Sequence, residues 1–315
     1  MCSTLFKNKE IMRNFIFILL IGFFTTISGF AQQVPLYSQY LFSKYPYNPA
    51  VAGSDNRFVG TLGYRNQWMG FEGAPSTALL TFQGPLGSGN AIGAVIYGDK
   101  LGASERIGIM PGYSYTVSFD EDLKLSFGLQ VGIIQHVLNG DEMTTKEQND
   151  PSVPLGKSNF LYGDASFGVF LKSKSYYVGL SVPQLLNGSA LLSSNFQNIG
   201  NGLVKRHLFA MGGVKIDVSD EFFIEPSLLL KSVQAAPLQL DVNCRFAFHK
   251  LWWVGLTYRT RASVALFAGF DISDKVFMGY SFDYPTNEMR TVSDGSHEVF
   301  LGFKFNEKKR SGTFY

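Results

Sequence analysis

The stretch LKLSFGLQVGI, Leu123 to Ile133, alternates without interruption. Leu123, Leu125, Phe127, Leu129, Val131 and Ile133 fall on one side of an extended chain, and Lys124, Ser126, Gly128, Gln130 and Gly132 on the other. Successive side chains of a pleated strand point to opposite faces, so period two with one greasy face reads as a β-strand. PLQLDVNCRFAFH, Pro237 to His249, repeats the pattern, with Leu238, Leu240, Val242, Cys244, Phe246 and Phe248 opposed to Gln239, Asp241, Asn243, Arg245 and His249. So do the sets Val264, Leu266, Ala268, Phe270, Ile272 and Val276, Met278, Tyr280, Phe282, Tyr284.

Working outward from these runs gives fourteen strands, at 57–67, 76–84, 90–98, 105–119, 123–137, 159–171, 175–183, 204–218, 221–233, 236–249, 251–260, 262–272, 275–284 and 295–306. Tight turns at Asp120-Glu121-Asp122, Lys172-Ser173-Lys174, Ser219-Asp220, His249-Lys250 and Ser273-Asp274 alternate with longer loops at 138–158, 184–203 and 285–294. An even number of strands of about ten residues, with short turns on one side and long loops on the other, is the pattern of an outer-membrane barrel. In hydrocarbon every backbone N–H and C=O needs a partner, so the sheet must close on itself. A soluble β-sandwich would carry a strongly charged outer face, whereas the second face here is Gly, Ser, Thr, Gln and Asn with scattered charge. No repeat of propeller length is present. Phe119, Phe222, Phe223, Trp252, Trp253, Tyr284 and Phe305 are expected to form interfacial girdles. Pro111 and Pro226 fall inside strands and are expected to mark a bulge or a strand end.

Composition agrees. The 315 residues include 33 Gly, 29 Phe and 15 Tyr but only 17% charged residues, below the roughly 25% of soluble domains. Lys7, Lys9 and Arg13 precede the apolar run NFIFILLIGFFTTISGF, which ends into Gly29-Phe30-Ala31, as in a secretory signal cleaved after about Ala31. Met12 offers an alternative start. Removal of residues 1–31 would leave Cys244 as the single cysteine, with no intramolecular disulfide possible. Segment 32–56 is then a periplasmic or lumenal N-terminal segment, 57–306 the barrel and 307–315 a periplasmic tail. The formal net charge of +2 is dispersed, which argues against nucleic acid.

Catalytic patterns are weak. His136, His207, His249 and His297 show no metal-ligand spacing, and neither a metal nor a cofactor is expected. GPLGSGN at 84–90 lacks the Lys-Ser/Thr of a phosphate loop and reads as a tight turn. No serine sits in a Gly-x-Ser-x-Gly elbow, so the chain is not expected to be an enzyme.

Three segments carry a family resemblance: YSQYLFSKYPYNPAVAGS (Tyr37 to Ser54), YRNQWMGFEGAPST (Tyr64 to Thr77) and SHEVFLGFKF (Ser296 to Phe305), with GDASFGVFLKSKSYYVGLSVPQLL between them. In this order the chain resembles the PorP/SprF family of type IX secretion membrane proteins. The resemblance implies an outer-membrane barrel of a Bacteroidota bacterium that helps export and display adhesin-like proteins carrying a C-terminal sorting domain, in some members tied to periplasmic secretion components and to gliding motility. On this reading Tyr64, Arg65, Gln67, Trp68, Phe71, Glu72 and Pro75 lie at the extracellular mouth. There they either bind a partner, as exposed aromatic and Arg residues do, or form a plug in which Arg65 pairs with Glu72. Tyr37, Gln39, Tyr40, Asn48 and Pro49 belong to a segment expected to plug or cap the barrel, Pro46 and Pro49 favouring extended residues before them. The alternative is a passive porin-like channel for small solutes, and the content of the lumen discriminates the two. With Phe305 ending the last strand and ten residues following, either Phe305 or Tyr315 could be the terminal aromatic.

Overall fold

The computed structural model describes residues 40, 43–143, 156–187, 190–194, 205–233, 236–249 and 251–305. The proposed leader and the tail 307–315 lie outside them, as do Tyr37 and Gln39. Sixteen strand segments run in chain order: β1 Phe58–Asn66, β2 Ser76–Gly87, β3 Asn90–Leu101, β4 Ser104–Ser118, β5 Lys124–Asn139, β6 Lys157–Lys172, β7 Tyr176–Val182, β8 Ala190–Ser194, β9 His207–Val214, β10 Ile216–Asp217, β11 Phe222–Val233, β12 Gln239–Phe248, β13 Trp252–Arg259, β14 Ser263–Ser273, β15 Val276–Pro285 and β16 Ser296–Phe305. Each of fourteen pairs antiparallel with its neighbours. β16 returns to β1, and β9 bridges β7 and β11, so the ring is closed. β8 takes up pairing with β6 where β7 leaves off, and β10 prolongs β9. The all-β, fourteen-stranded closed barrel expected from the alternation is the fold.

The faces fall as the period requires. On β5, Phe127, Leu129, Val131 and Ile133 are exposed, while Ser126, Gln130 and Ile134 are buried inward. The outward set of β14 and β15 is Leu266, Met278, Tyr280 and Tyr284, again the apolar half of each alternation. An exposed apolar belt around a sheet without edges suits lipid and would be insoluble in water.

The turns have local causes. Ser88 and Gly89 both have positive φ, 52° and 82°, so GPLGSGN closes a two-residue hairpin and not a ligand loop. Asp120 Oδ1 accepts from the backbone N–H of Asp122 (2.8 Å) and Leu123 (2.6 Å), which folds the β4–β5 turn and holds the Asp120 carboxyl below its usual pKa.

Three expectations need correction. Pro111 and Pro226 neither bulge nor end their strands. Pairing of β4 with β5 lapses between Ile109 and Gly112 and resumes in the same register. Across Pro226, likewise, Ser227 faces Gly213 and Ile224 faces Ile216, so a missing proline donor divides β9 from β10 without shifting the ladder. The register shifts occur instead at Pro85/Gly87, Leu161/Tyr162 and Asp271/Ser273. Trp253 is no girdle residue: it is buried inside the barrel, while Trp252 beside it faces out. Finally, the inner face is not uniformly small, because Phe170, Phe209, Trp253, Phe267, Phe277 and Phe300 all point inward.

Candidate functional site

The described part of the N-terminal segment, Tyr40 and residues 43–54, lies inside the barrel. Lys44 to Asn48 make a turn, with Tyr47 N–H and Asn48 N–H both donating to the Lys44 carbonyl at 3.1 Å. A single 3₁₀ turn, Pro49–Val51, follows directly. Proline suits its first position, where no donor is needed. Asn48 caps it by accepting from Ala50 N–H at 2.9 Å. The same amide donates to the carbonyls of Val169 (3.0 Å) and Leu180 (3.2 Å) on β6 and β7. One fully buried side chain thus caps the plug turn and ties it to two wall strands.

Room for the plug comes from glycine. Gly93, Gly112, Gly128, Gly168 and Gly179 sit on five successive strands, β3 to β7, and face inward. A Cβ at Gly128 would lie 2.3 Å from Ala50 N and Pro49 C, and one at Gly168 only 2.0 Å from Asn48 Oδ1. At Gly93 it would meet the Tyr45 ring at 2.4 Å. Gly93 faces Gly112 and Gly128 faces Gly168 across their ladders, while Gly128 is diagonal to Gly112 and Gly179 diagonal to Gly168. Around it Ser181 Oγ donates to Tyr47 O (2.5 Å), Ser114 Oγ to Ala52 O (3.0 Å) and Lys172 Nζ to Ser54 O (2.9 Å). Tyr40 packs edge-on against Tyr47 with ring centroids 5.7 Å apart. Lys44 reaches Glu225 at 3.4 Å and lies over the Tyr177 ring. Burial disfavours its charge, but Tyr177 and Glu225 outweigh that and raise the ammonium above its ordinary pKa. Burial also pushes the Tyr45 phenol up to about 12.

The opposite half of the lumen is filled by side chains. Trp253 stacks on Phe300 at 5.7 Å and 8°, over Gly269 and Gly279, and Phe267 and Phe277 cover Gly255 and Gly302. Toward the long-loop end lies a buried ionic chain. Arg65 bonds Asp283 (2.8 Å) and Glu298 (3.0 Å), Arg259 bonds Asp283 (3.2 Å) and Asp241 (3.3 Å), and Lys231 bonds Asp241 (2.8 Å). Three cations and three anions from β1, β11, β12, β13, β15 and β16 therefore run along the inner wall of that half of the barrel. Such a chain adds little net stability, but removing one member strands a buried charge.

The segment 64–77 separates into parts with different tasks. Tyr64 faces outward and belongs to the apolar exterior, and Arg65 pairs with Asp283 and Glu298, not with exposed Glu72. The alternation of β1 explains both. Beyond Asn66 the chain forms a compact rim loop closed by Gln67 N–H to Pro75 O (2.9 Å). Trp68, at φ 53°, donates its N–H to Ser296 Oγ (3.1 Å). Met69 N–H donates to Gly295 O (2.8 Å), Met69 O accepts from Asp294 N–H (2.8 Å), and Gly102 N–H donates to Gly73 O (2.9 Å). Three loops are thereby fastened together, with Met69, Phe71, Glu72, Leu101 and Val292 exposed on them. Tyr40, Asn48 and Pro49 are brought together in the plug.

Sequence reading missed the partners of Arg65. A signal existed: Asp283 sits at an inward position between Phe282 and Tyr284, and Glu298 at one beside outward Val299, where an unpaired carboxylate would be costly. Which cation meets which anion depends on ring closure, since Arg65 and Glu298 are neighbours only through the β1–β16 seam.

The comparisons agree with this architecture. The barrel is similar to the Ralstonia pickettii toluene transporter TbuX (TM-score 0.51, 9% identity, 82% of this chain and 92% of that one). It is also similar to the CymD monoaromatic hydrocarbon channel (0.49, 11%, 88% and 94%) and to a Pseudomonas aeruginosa FadL homologue (0.45, 12%, 87% and 95%). At 9% identity the likeness to TbuX is one of fold alone, and the fold is that of outer-membrane barrels. No curated protein sequence matches the chain. The family model for type IX secretion system membrane protein PorP/SprF matches residues 29–303, nearly the whole length, and the chain belongs to that family.

Proposed function

We propose that this barrel is a closed, non-enzymatic docking protein of type IX secretion in the outer membrane, which holds an exported adhesin-like protein by its C-terminal sorting domain at the long-loop rim. The short-turn end, with the N-terminal segment, then faces the periplasm, where secretion components engage it. The observation that carries the reading is what the described residues place inside the barrel: a plug seated on glycines, an aromatic slab and an ionic chain along the inner wall, while the rim offers a fastened three-loop surface. Exposed Phe71 and Met69 beside Glu72 are residue types suited to protein recognition, and their loops are ordered before binding, which lowers the entropy cost of association. A passive solute channel needs a wide polar path that this lumen content opposes.

The test pairs two measurements. Affinity capture from native outer membranes with wild type and a Met69→Ala/Phe71→Ala double variant should recover an exported protein with a sorting domain, reduced about tenfold or more in the variant, as expected for truncated anchors worth ~1–2 kcal/mol. The purified barrel should be nearly silent in planar bilayers. Large steady conductance from the intact protein, with no exported protein retained, would overturn the docking function in favour of a channel.

A further inference from the structure

At the short-turn end, between the plug and the inner wall, the barrel keeps a niche of about 340 Å³. Its size falls within the roughly 300–1,000 Å³ of ligand pockets. Both of its sides are held in place. Ser114 Oγ donates to Ala52 O (3.0 Å) and Lys172 Nζ to Ser54 O (2.9 Å), while a Cβ at Gly53 would lie 2.5 Å from the Ala91 Cβ, so Ala52 to Ser54 are seated against the wall. The ends of β2 to β6 and the Ser88-Gly89 turn close the other side.

None of the residues lining this niche is acidic, and two are lysines. Lys124 and Lys172 stand directly opposite each other on β5 and β6. Opposed residues of an antiparallel pair have Cβ atoms about 4.5–5.5 Å apart, and like charges there are destabilising. Asp55 answers only one of the two, pairing with Lys172 at 3.1 Å. Asp122, two residues from Lys124, is taken by Lys174 (3.1 Å), and Lys124 has no ion pair among the described residues. Two lysines and one carboxylate leave a net charge of +1 at the niche, which a single oxyanion would neutralise through charge-assisted hydrogen bonds.

The neutral polar groups describe the rest of the ligand. Ser54, Ser88 and Ser118 line the niche, keep accessible surface and make no side-chain hydrogen bond among the described residues. A hydroxyl both donates and accepts, so three of them suit a body that itself carries hydroxyls. No aromatic ring lines the niche, which gives a flat apolar molecule nothing to stack on. We propose that this niche is a binding site for a small hydroxylated carboxylate of about the size of one sugar, its carboxylate between Lys124 and Lys172 and its hydroxyls against Ser54, Ser88 and Ser118. The site lies at the opposite end of the barrel from the rim loops and does not depend on docking there.

D-Glucuronate is the probe. Equilibrium dialysis of the labelled sugar against the full-length barrel in uncharged detergent at low salt, with empty micelles as blank, should show a single saturable glucuronate per barrel. Glucose, which lacks the charge, and benzoate, which lacks the hydroxyls, should each bind at least about tenfold more weakly. Lys124→Gln should weaken glucuronate about tenfold or more, as for one lost charge-assisted hydrogen bond, and Lys124→Arg should retain it. Lys275→Gln, at another short turn, should change nothing, which separates the niche from general surface charge. Ser118→Trp fills the niche from an exposed strand end and should abolish saturable binding, so the test stays decisive if Lys124→Gln misfolds. Heat-modifiable gel migration verifies that each variant is folded. Glucuronate at the blank level through the millimolar range would mean that only water and mobile ions occupy the niche and would overturn the proposal. So would glucose or benzoate bound as tightly as glucuronate, or glucuronate retained equally by Lys124→Gln or by Ser118→Trp.

Discussion

Enlarging the cradle glycines should expel the plug, and the amount of enlargement needed can be worked out. A methyl at Gly128 falls 2.3 Å from backbone atoms of Pro49 and Ala50, about 1.1 Å inside the 3.4 Å at which ordinary contact begins. Forcing one extra carbon into a packed site costs about 1–3 kcal/mol. Against this, five hydrogen bonds hold residues 47–54 in place: two from Asn48 Nδ2 and one each from Ser181, Ser114 and Lys172. At about 1 kcal/mol each they amount to ~5 kcal/mol before any apolar burial is counted. Gly128→Ala should therefore be strained but still plugged. Gly128→Leu combined with Gly168→Leu places two side chains where Asn48, Pro49 and Ala50 now sit, and the segment has to leave. The assay is maleimide labelling of Val51→Cys in a Cys244→Ser background, Val51 being buried in the plug. Labelling should be slow in the parent and in Gly128→Ala, and at least about tenfold faster in the double leucine variant, equivalent to ~1.4 kcal/mol of lost protection. Gly98→Leu, whose Cβ meets nothing within 4 Å, should leave the rate unchanged. If Val51→Cys in the parent reacts as fast as in the double leucine variant, the plug is not seated on these glycines.

Other expectations follow from the same geometry. Asp283→Ala removes the shared partner of Arg65 and Arg259 and should destabilise the barrel by about 3–5 kcal/mol in denaturant unfolding; a loss below 1 kcal/mol would mean that the chain is not isolated from water. Val131→Arg, at an exposed position near the middle of β5, should cost about 2–4 kcal/mol in lipid vesicles, and a neutral result would contradict the lipid-facing assignment. Asn48→Asp keeps the shape of the cap but loses the Nδ2 donors to Val169 and Leu180, so amide exchange in residues 43–52 should accelerate; unchanged exchange would show that the tie to the wall contributes nothing.

Period-two alternation over short spans was enough for the strands, their number and the outward face of those that alternate cleanly, because the pleat imposes side-chain direction locally and a lipid exterior favours apolar residues there. The absence of an edge also followed, since hydrocarbon leaves no partner for an unpaired backbone group. The turn at Ser88-Gly89 was equally local. What the alternation could not disclose was what lies inside. Gly128 looks like any small lumen residue until the plug is placed over it. Arg65 looks like a partner for Glu72, seven residues away, until closure of the ring brings Glu298 and Asp283 beside it. Trp253 reads as a girdle residue until its inward parity sets it against Phe300. These contacts join residues distant in sequence across a closed circumference. Their energies depend on distances that only the assembled barrel defines, so the wall was written in the local pattern and the contents of the lumen were decided by tertiary structure.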